Sequence, residues 1–145
     1  MLMPWFEKGK HMNRDTWQFT YTASSLAEAA NAKIEFHRRH LEDWQQRRDE
    51  VMATIRAEGI EVSEKAALAY VNPKARDWMQ GGDVMIRNDL RMNLAECYEK
   101  LAYHTGLRDQ YDGWQQVLCA NPEDRLSLDI NDWLFFFGRD VEGGG

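Results

Sequence analysis

Residues 25–60 read SLAEAANAKIEFHRRHLEDWQQRRDEVMATIRAEGI, and this stretch decides the fold. It opens on Ser25-Leu26-Ala27-Glu28, the pattern of a capping box. In such a box the serine hydroxyl accepts from an unpaired amide of the first turn, and the glutamate reaches back. Ala30, Ile34, His37, Leu41, Trp44, Arg48, Val51 and Ile55 then recur at alternating spacings of four and three. That is the seam of a helix lying lengthwise on another helix. Gly59 tolerates the positive φ of a helix stop, and Ile60 is placed to fold back on Ile55. A helix over about 25–58 is about 50 Å long at about 1.5 Å per residue. So long an element in a chain of 145 residues needs a partner of similar length.

That partner is read at about 88–118. Asn88 suits an N-cap. Leu90, Leu94, Cys97, Leu101, His104, Tyr111, Trp114 and Leu118 carry the same kind of stripe. Gly106 and Gly113 interrupt it, each costing about 1 kcal/mol relative to alanine, so a kink is expected near Gly106. Asn121-Pro122 ends the helix, because the residue before a proline is pushed out of the helical region. If Glu58 and Asn88 lie level in an antiparallel hairpin, Trp114 faces Ala32 and Trp44 faces Ala102. Large rings would then fill the space over small residues.

Working outward, Thr16-Trp17-Gln18-Phe19-Thr20-Tyr21-Thr22 alternates polar and aromatic residues, the period of a half-buried strand with Trp17, Phe19 and Tyr21 on one face. Arg125 to Ile130 alternates in the same way and is the candidate partner. Ser63 is expected to cap a short helix through Tyr70, and Asn72-Pro73 and Gly81-Gly82 mark loops. Asp132 to Gly138 reads as a short buried helix or strand. The expected fold is therefore mainly α: an antiparallel pair of long helices with short terminal elements packed on one side and a small two-stranded β ribbon. Residues 1–12 are expected to be a leader or disordered, 13–138 a single helical domain, and 139–145 a disordered tail.

Composition bounds the function. Apolar residues make up 43% of the chain and six tryptophans are present, enough for a real core. No run approaches the roughly 18 apolar residues of a membrane span, and the first dozen residues lack a secretory signal. The net charge is −6, with −4 in residues 121–145, which argues against direct binding to nucleic acid through phosphates. Cys97 and Cys119 have no metal or redox spacing, so two free thiols in a reducing cytoplasm are expected.

Chemistry-bearing patterns are sparse. His37 and His40 sit one turn apart near Glu35, Glu42 and Asp43, and two imidazoles at that spacing can share a metal ion. His37 lies on the apolar stripe, however, and a packed, hydrogen-bonded histidine is the plainer reading; His104 joins them only if the helix register slips. Arg48 interrupts the stripe and is expected either to pair with Glu96 or Glu99 or to reach the helix edge. Cys97, on an apolar stripe, is expected to be inert. No catalytic residues and no cofactor are expected. An internal echo joins Lys33-Ile34-Glu35-Phe36-His37 to Lys100-Leu101-Ala102-Tyr103-His104, each followed by Trp-Gln-Gln; chance explains it as well as duplication does.

The C-terminal stretch combines acids with rings: Asp129 and Asp132 beside Trp133, Phe135, Phe136 and Phe137. It reads as a docking segment in which rings anchor and carboxylates steer, or more plainly as a cap that closes the core. The functional expectation is a non-enzymatic protein–protein interaction or adaptor protein, acting through its helical faces and this acidic-aromatic segment. Its partner would be another protein or a second copy of the chain, with no membrane involved. Two other classes remain: an acidic inhibitor or decoy of a nucleic-acid-binding protein, and a helical metal-dependent enzyme using His37 and His40.

Overall fold

A computed structural model describes residues 18–60 and 88–140. The order is β1 (Phe19–Thr22), α1 (Ala23–Ala57), α2 (Asn88–Ala120), β2 (Arg125–Leu128) and α3 (Ile130–Phe137). The two long helices pack against each other, as the paired stripes predict. They run antiparallel: α1 residues Met52 and Ile55 meet Leu90 and Leu94 of α2, and Asn31 meets Gln115. The leader, Trp17, the helix expected from Ser63, the loops at 72–73 and 81–82, and the tail residues 141–145 lie outside the described residues.

The helix α1 starts two residues before the expected cap. Thr22 ends the strand and Ala23 begins the helix with nothing between. The Thr22 hydroxyl oxygen accepts the Ser25 amide at 3.2 Å, so Thr22 is the cap and Ser25 the third helical residue. The first two free amides have outside partners: Ala23 N–H donates to the Asp124 carbonyl at 2.7 Å and Ser24 N–H to that of Pro122 at 2.9 Å. At the other end the predicted stop is present. Gly59 has φ 84°, its N–H donates to Arg56 O at 2.9 Å, and Ile60 N–H donates to Ile55 O at 3.4 Å. These are the paired bonds of a Schellman motif, and Ile60 packs on the cluster that holds Ile55.

The ribbon forms between the two alternating segments. β1 and β2 pair antiparallel, Phe19 opposite Leu128 and Tyr21 opposite Leu126. Ile130 leaves the strand pattern and opens α3, because the Asp129 side chain accepts the Asp132 amide at 2.8 Å and turns the chain. Gly138 closes that helix; a Cβ there would run into the Leu134 carbonyl oxygen.

Contacts gather into two compact units, each using part of both long helices. Described residues 18–36 and 107–140 form the first. Its core holds Leu26, Ala27, Ala30, Tyr111, Leu118, Leu128 and Phe136. Lys33 is buried there as well, and its ammonium donates to the Gly138 carbonyl and pairs with Asp140. Described residues 37–60 and 88–106 form the second, with Met52, Ile55, Leu90 and Leu94 at its core and His37, His104, Leu41 and Cys97 buried elsewhere in it.

The ring-over-alanine register needs correction. Ala32 and Ala102 are solvent-exposed, so no ring covers them. Tyr111, rather than Trp114, shares the core with Ala27 and Ala30. Trp114 is 46% exposed and meets the edge of Phe136 at 6.2 Å. Trp44 instead carries the Arg47 guanidinium 4.4 Å above its ring. The expected alignment holds at Asn31 and Gln115, but His37 meets His104, which requires the register to slip between the two points.

Two glycines of opposite worth test this account. Gly59→Ala should lower stability by about 1–2 kcal/mol, because a Cβ at positive φ crowds the following carbonyl. Gly106 and Gly113 lie inside α2 with open space where a Cβ would stand. Changing either to alanine should raise stability by up to about 1 kcal/mol. Urea unfolding followed by circular dichroism gives both signs.

Candidate functional site

The residues singled out at the C-terminal end all fall in the first unit. α3 reads INDWLFFF, and its rings take three directions. Trp133 and Phe137 turn toward β1, where Trp133 lies 5.8 Å from Phe19 and Phe137 lies 4.7 Å from Tyr21, centroid to centroid. The Trp133 indole N–H donates to the Tyr21 hydroxyl at 3.0 Å. Phe136 is buried in the core. Phe135 stacks on Tyr111 at 4.3 Å, and the Tyr111 hydroxyl donates to the Phe135 carbonyl at 2.5 Å. Asp129 serves as the cap of α3, while Asp132 stands exposed.

Between α2, β2 and α3 these rings leave a half-open groove of about 480 Å³. Leu26 and Phe136 form buried parts of its lining, and Trp114, Leu126 and Phe135 are its more open apolar walls. Among the described residues Asp132 is the one charged side chain along it, with Gln110, Ser127 and Asn131 supplying polar edges. Two more large apolar side chains on the same elements face water, Val117 at 63% and Leu134 at 44% exposure. The sequence reading missed Trp114 and Leu126 as surface groups. It assigned Trp114 to the helical seam, and only the turn that brings β2 and α3 alongside α2 reveals a wall.

The charge is unevenly placed. The described residues of this unit carry nine carboxylates against four lysine or arginine side chains; in the second unit the numbers are eight and seven. Most of the net negative charge of the described residues therefore belongs to the unit that holds the groove, where it sets a potential that attracts cations.

In the second unit His37 and His104 meet, with their Nδ1 atoms 2.8 Å apart, and His40 stacks on the His104 ring at 5.0 Å and 8°. The buried pair, His37 and His104, are the histidines that end the echoed pentapeptides. Their Nδ1 atoms are within hydrogen-bond reach, one donating and the other accepting. Among the described residues no group of three or more His, Cys, Asp or Glu is placed to hold a metal ion. Arg48 pairs with Asp49 on its own helix at 3.2 Å. No described helix is long and apolar enough to cross a membrane.

The two thiols differ. Cys97 is buried and Cys119 exposed. Burial pushes the Cys97 thiol above its ordinary pKa and the Glu96 carboxylate adds to this, while Arg47 and Arg48 oppose it. A raised pKa keeps the sulfur protonated and unreactive further into alkaline solution. Ellman's reagent at pH 8 should therefore react with one thiol per chain at once, Cys119, and with Cys97 only after denaturant is added. Equal rates for both would contradict the burial of Cys97.

The Lys33–Asp140 pair gives a second measurement. Removing one partner strands a charge, whereas replacing the buried cation by an apolar chain of similar volume is often close to neutral. Asp140→Asn should destabilise the protein by about 1 kcal/mol, a small value because Asp140 is partly in water, and Lys33→Met should cost less. Thermal melts of the two variants decide the order. No protein-family model, no curated protein and no solved structure matches this chain.

Proposed function

We propose that this chain acts by binding another protein, without chemistry of its own, and that the first unit presents the binding surface. The observation that supports this is the half-open groove walled by the exposed Trp114 and Leu126, with Val117 and Leu134 as further exposed large apolar side chains on α2 and α3. Single exposed apolar residues are ordinary, but large apolar side chains exposed along a groove with polar edges mark an interaction surface. The C-terminal rings support the reading from beneath: Phe135 and Phe136 hold the groove open by packing against Tyr111 and the core. Two free cysteines, one exposed, fit a reducing cytosol as the working compartment.

Site-specific photocrosslinking tests the proposal. A benzophenone amino acid at Val117 or Leu134, irradiated in cells that make the protein, should give discrete adducts heavier than the chain. The same group at Ala53, an exposed position of the second unit, should give none. Adducts from Ala53 alone, or from no position, would overturn the proposal.

A further inference from the structure

We infer that the groove between Trp114, Leu126 and Phe135 receives a peptide segment of another protein that carries large apolar side chains flanked by lysine or arginine. This rests on the interaction reading above and names the partner's chemistry. The groove is apolar along its floor and walls and has room for more than one large side chain. Its partly exposed indole offers a flat face suited both to apolar contact and to a cation lying over it. Trp and neighbouring large apolar groups are the residues that most often carry binding energy when a partner covers them.

The charge selects the partner's sign. Asp132 borders the groove, and with Asp109, Asp112 and Asp129 on this unit's parts of the same elements or at their ends it outnumbers the two cations there, Arg108 and Arg125. With nine carboxylates against four cations in this unit, an acidic segment would bring like charges together as the surface dries. A second copy of the chain docking here would do the same, because its matching surface carries the same surplus. A basic segment is drawn in and held, with faster association at low salt. The half-open form also suits a segment lying along the surface better than a small molecule, which is commonly enclosed over most of its area.

The test is selection from a displayed library of random peptides on the full chain, followed by anisotropy titration of the best labelled binder. Selected peptides should combine aromatic or leucine anchors with net positive charge. Trp114→Ser and Leu126→Ser should each weaken binding roughly tenfold, as loss of an anchor contact does, and Met92→Ser, at an exposed apolar position of the second unit, should leave it unchanged. Asp132→Asn should weaken it several-fold, and so should raising salt from about 0.05 to about 0.3 M. Circular dichroism establishes that each variant is folded; if Trp114→Ser is not, Leu126→Ser and Asp132→Asn carry the result. Neutral or acidic winners, indifference to these substitutions, or a chain that instead dimerises through Trp114 would overturn the inference. Failure to select any binder would also overturn it. In each case the broader interaction proposal is judged separately by its crosslinks.

Discussion

A helix that begins directly from a strand leaves amides with no partner within either element, and the first unit is organised around satisfying them. The β1 ladder ends at Thr22 and α1 begins at Ala23. Here the turn after α2 supplies carbonyls from Pro122 and Asp124, and Thr22 supplies its own hydroxyl. The same turn feeds β2, so closing the helix end also sets the strand pairing of Thr22 with Arg125 and of Phe19 with Leu128. An amide buried without a partner costs about 1–3 kcal/mol, so the start of α1 and the end of α2 hold each other in place. Once β2 is fixed, α3 is delivered beside α2, and that delivery makes the groove.

The same local chemistry explains why α3 can be so rich in rings without collapsing onto a neighbour. Five apolar residues in a row, Trp133 to Phe137, would be a hazard on an open surface. A helix spreads them round its axis, so that two meet β1, one enters the core and one stacks on Tyr111. Leu134 is left facing water. The burial of Lys33 belongs to this arrangement: its aliphatic stem lies inside while its ammonium meets the carbonyl of Gly138 and the carboxylate of Asp140. The chain just after α3 is thereby tied to α1.

Much of this architecture was legible in residue order, and what was not has a common cause. Periodicity reports which face of a helix is buried, so Ala30, Leu41, Ile55, Leu94 and Leu118 could be read. Gly59 and Ile60 could be read because a left-handed stop needs a particular residue at a particular offset. Axial register is different, since sliding one amphipathic helix along another by a turn preserves both stripes. That is why residue order sets Trp114 over Ala32 and brings His104 to His37 only through the register slip that the structure in fact shows. Lys33 was invisible for another reason: a charged side chain gives no apolar signal, and its partners lie more than a hundred residues away in sequence. The groove was illegible because its lining comes from four elements whose relative placement no single stretch encodes.

The distribution of charge connects stability to the proposed role. A small unit holding nine carboxylates and four cations works against itself, because like charges repel across a compact surface. Ion pairs within the unit leave that surplus as it is, since each joins one cation to one carboxylate. Lys33 answers Asp140, and Arg108 answers Asp109 at 3.0 Å, the latter largely in water and of small worth. Under the proposed role, binding a cationic segment would do two things at once: cover apolar side chains that folding left exposed, and relieve repulsion that folding created. Both contributions would favour the bound over the free folded chain, so a partner of the proposed kind would stabilise the unit by mass action as well as occupy it.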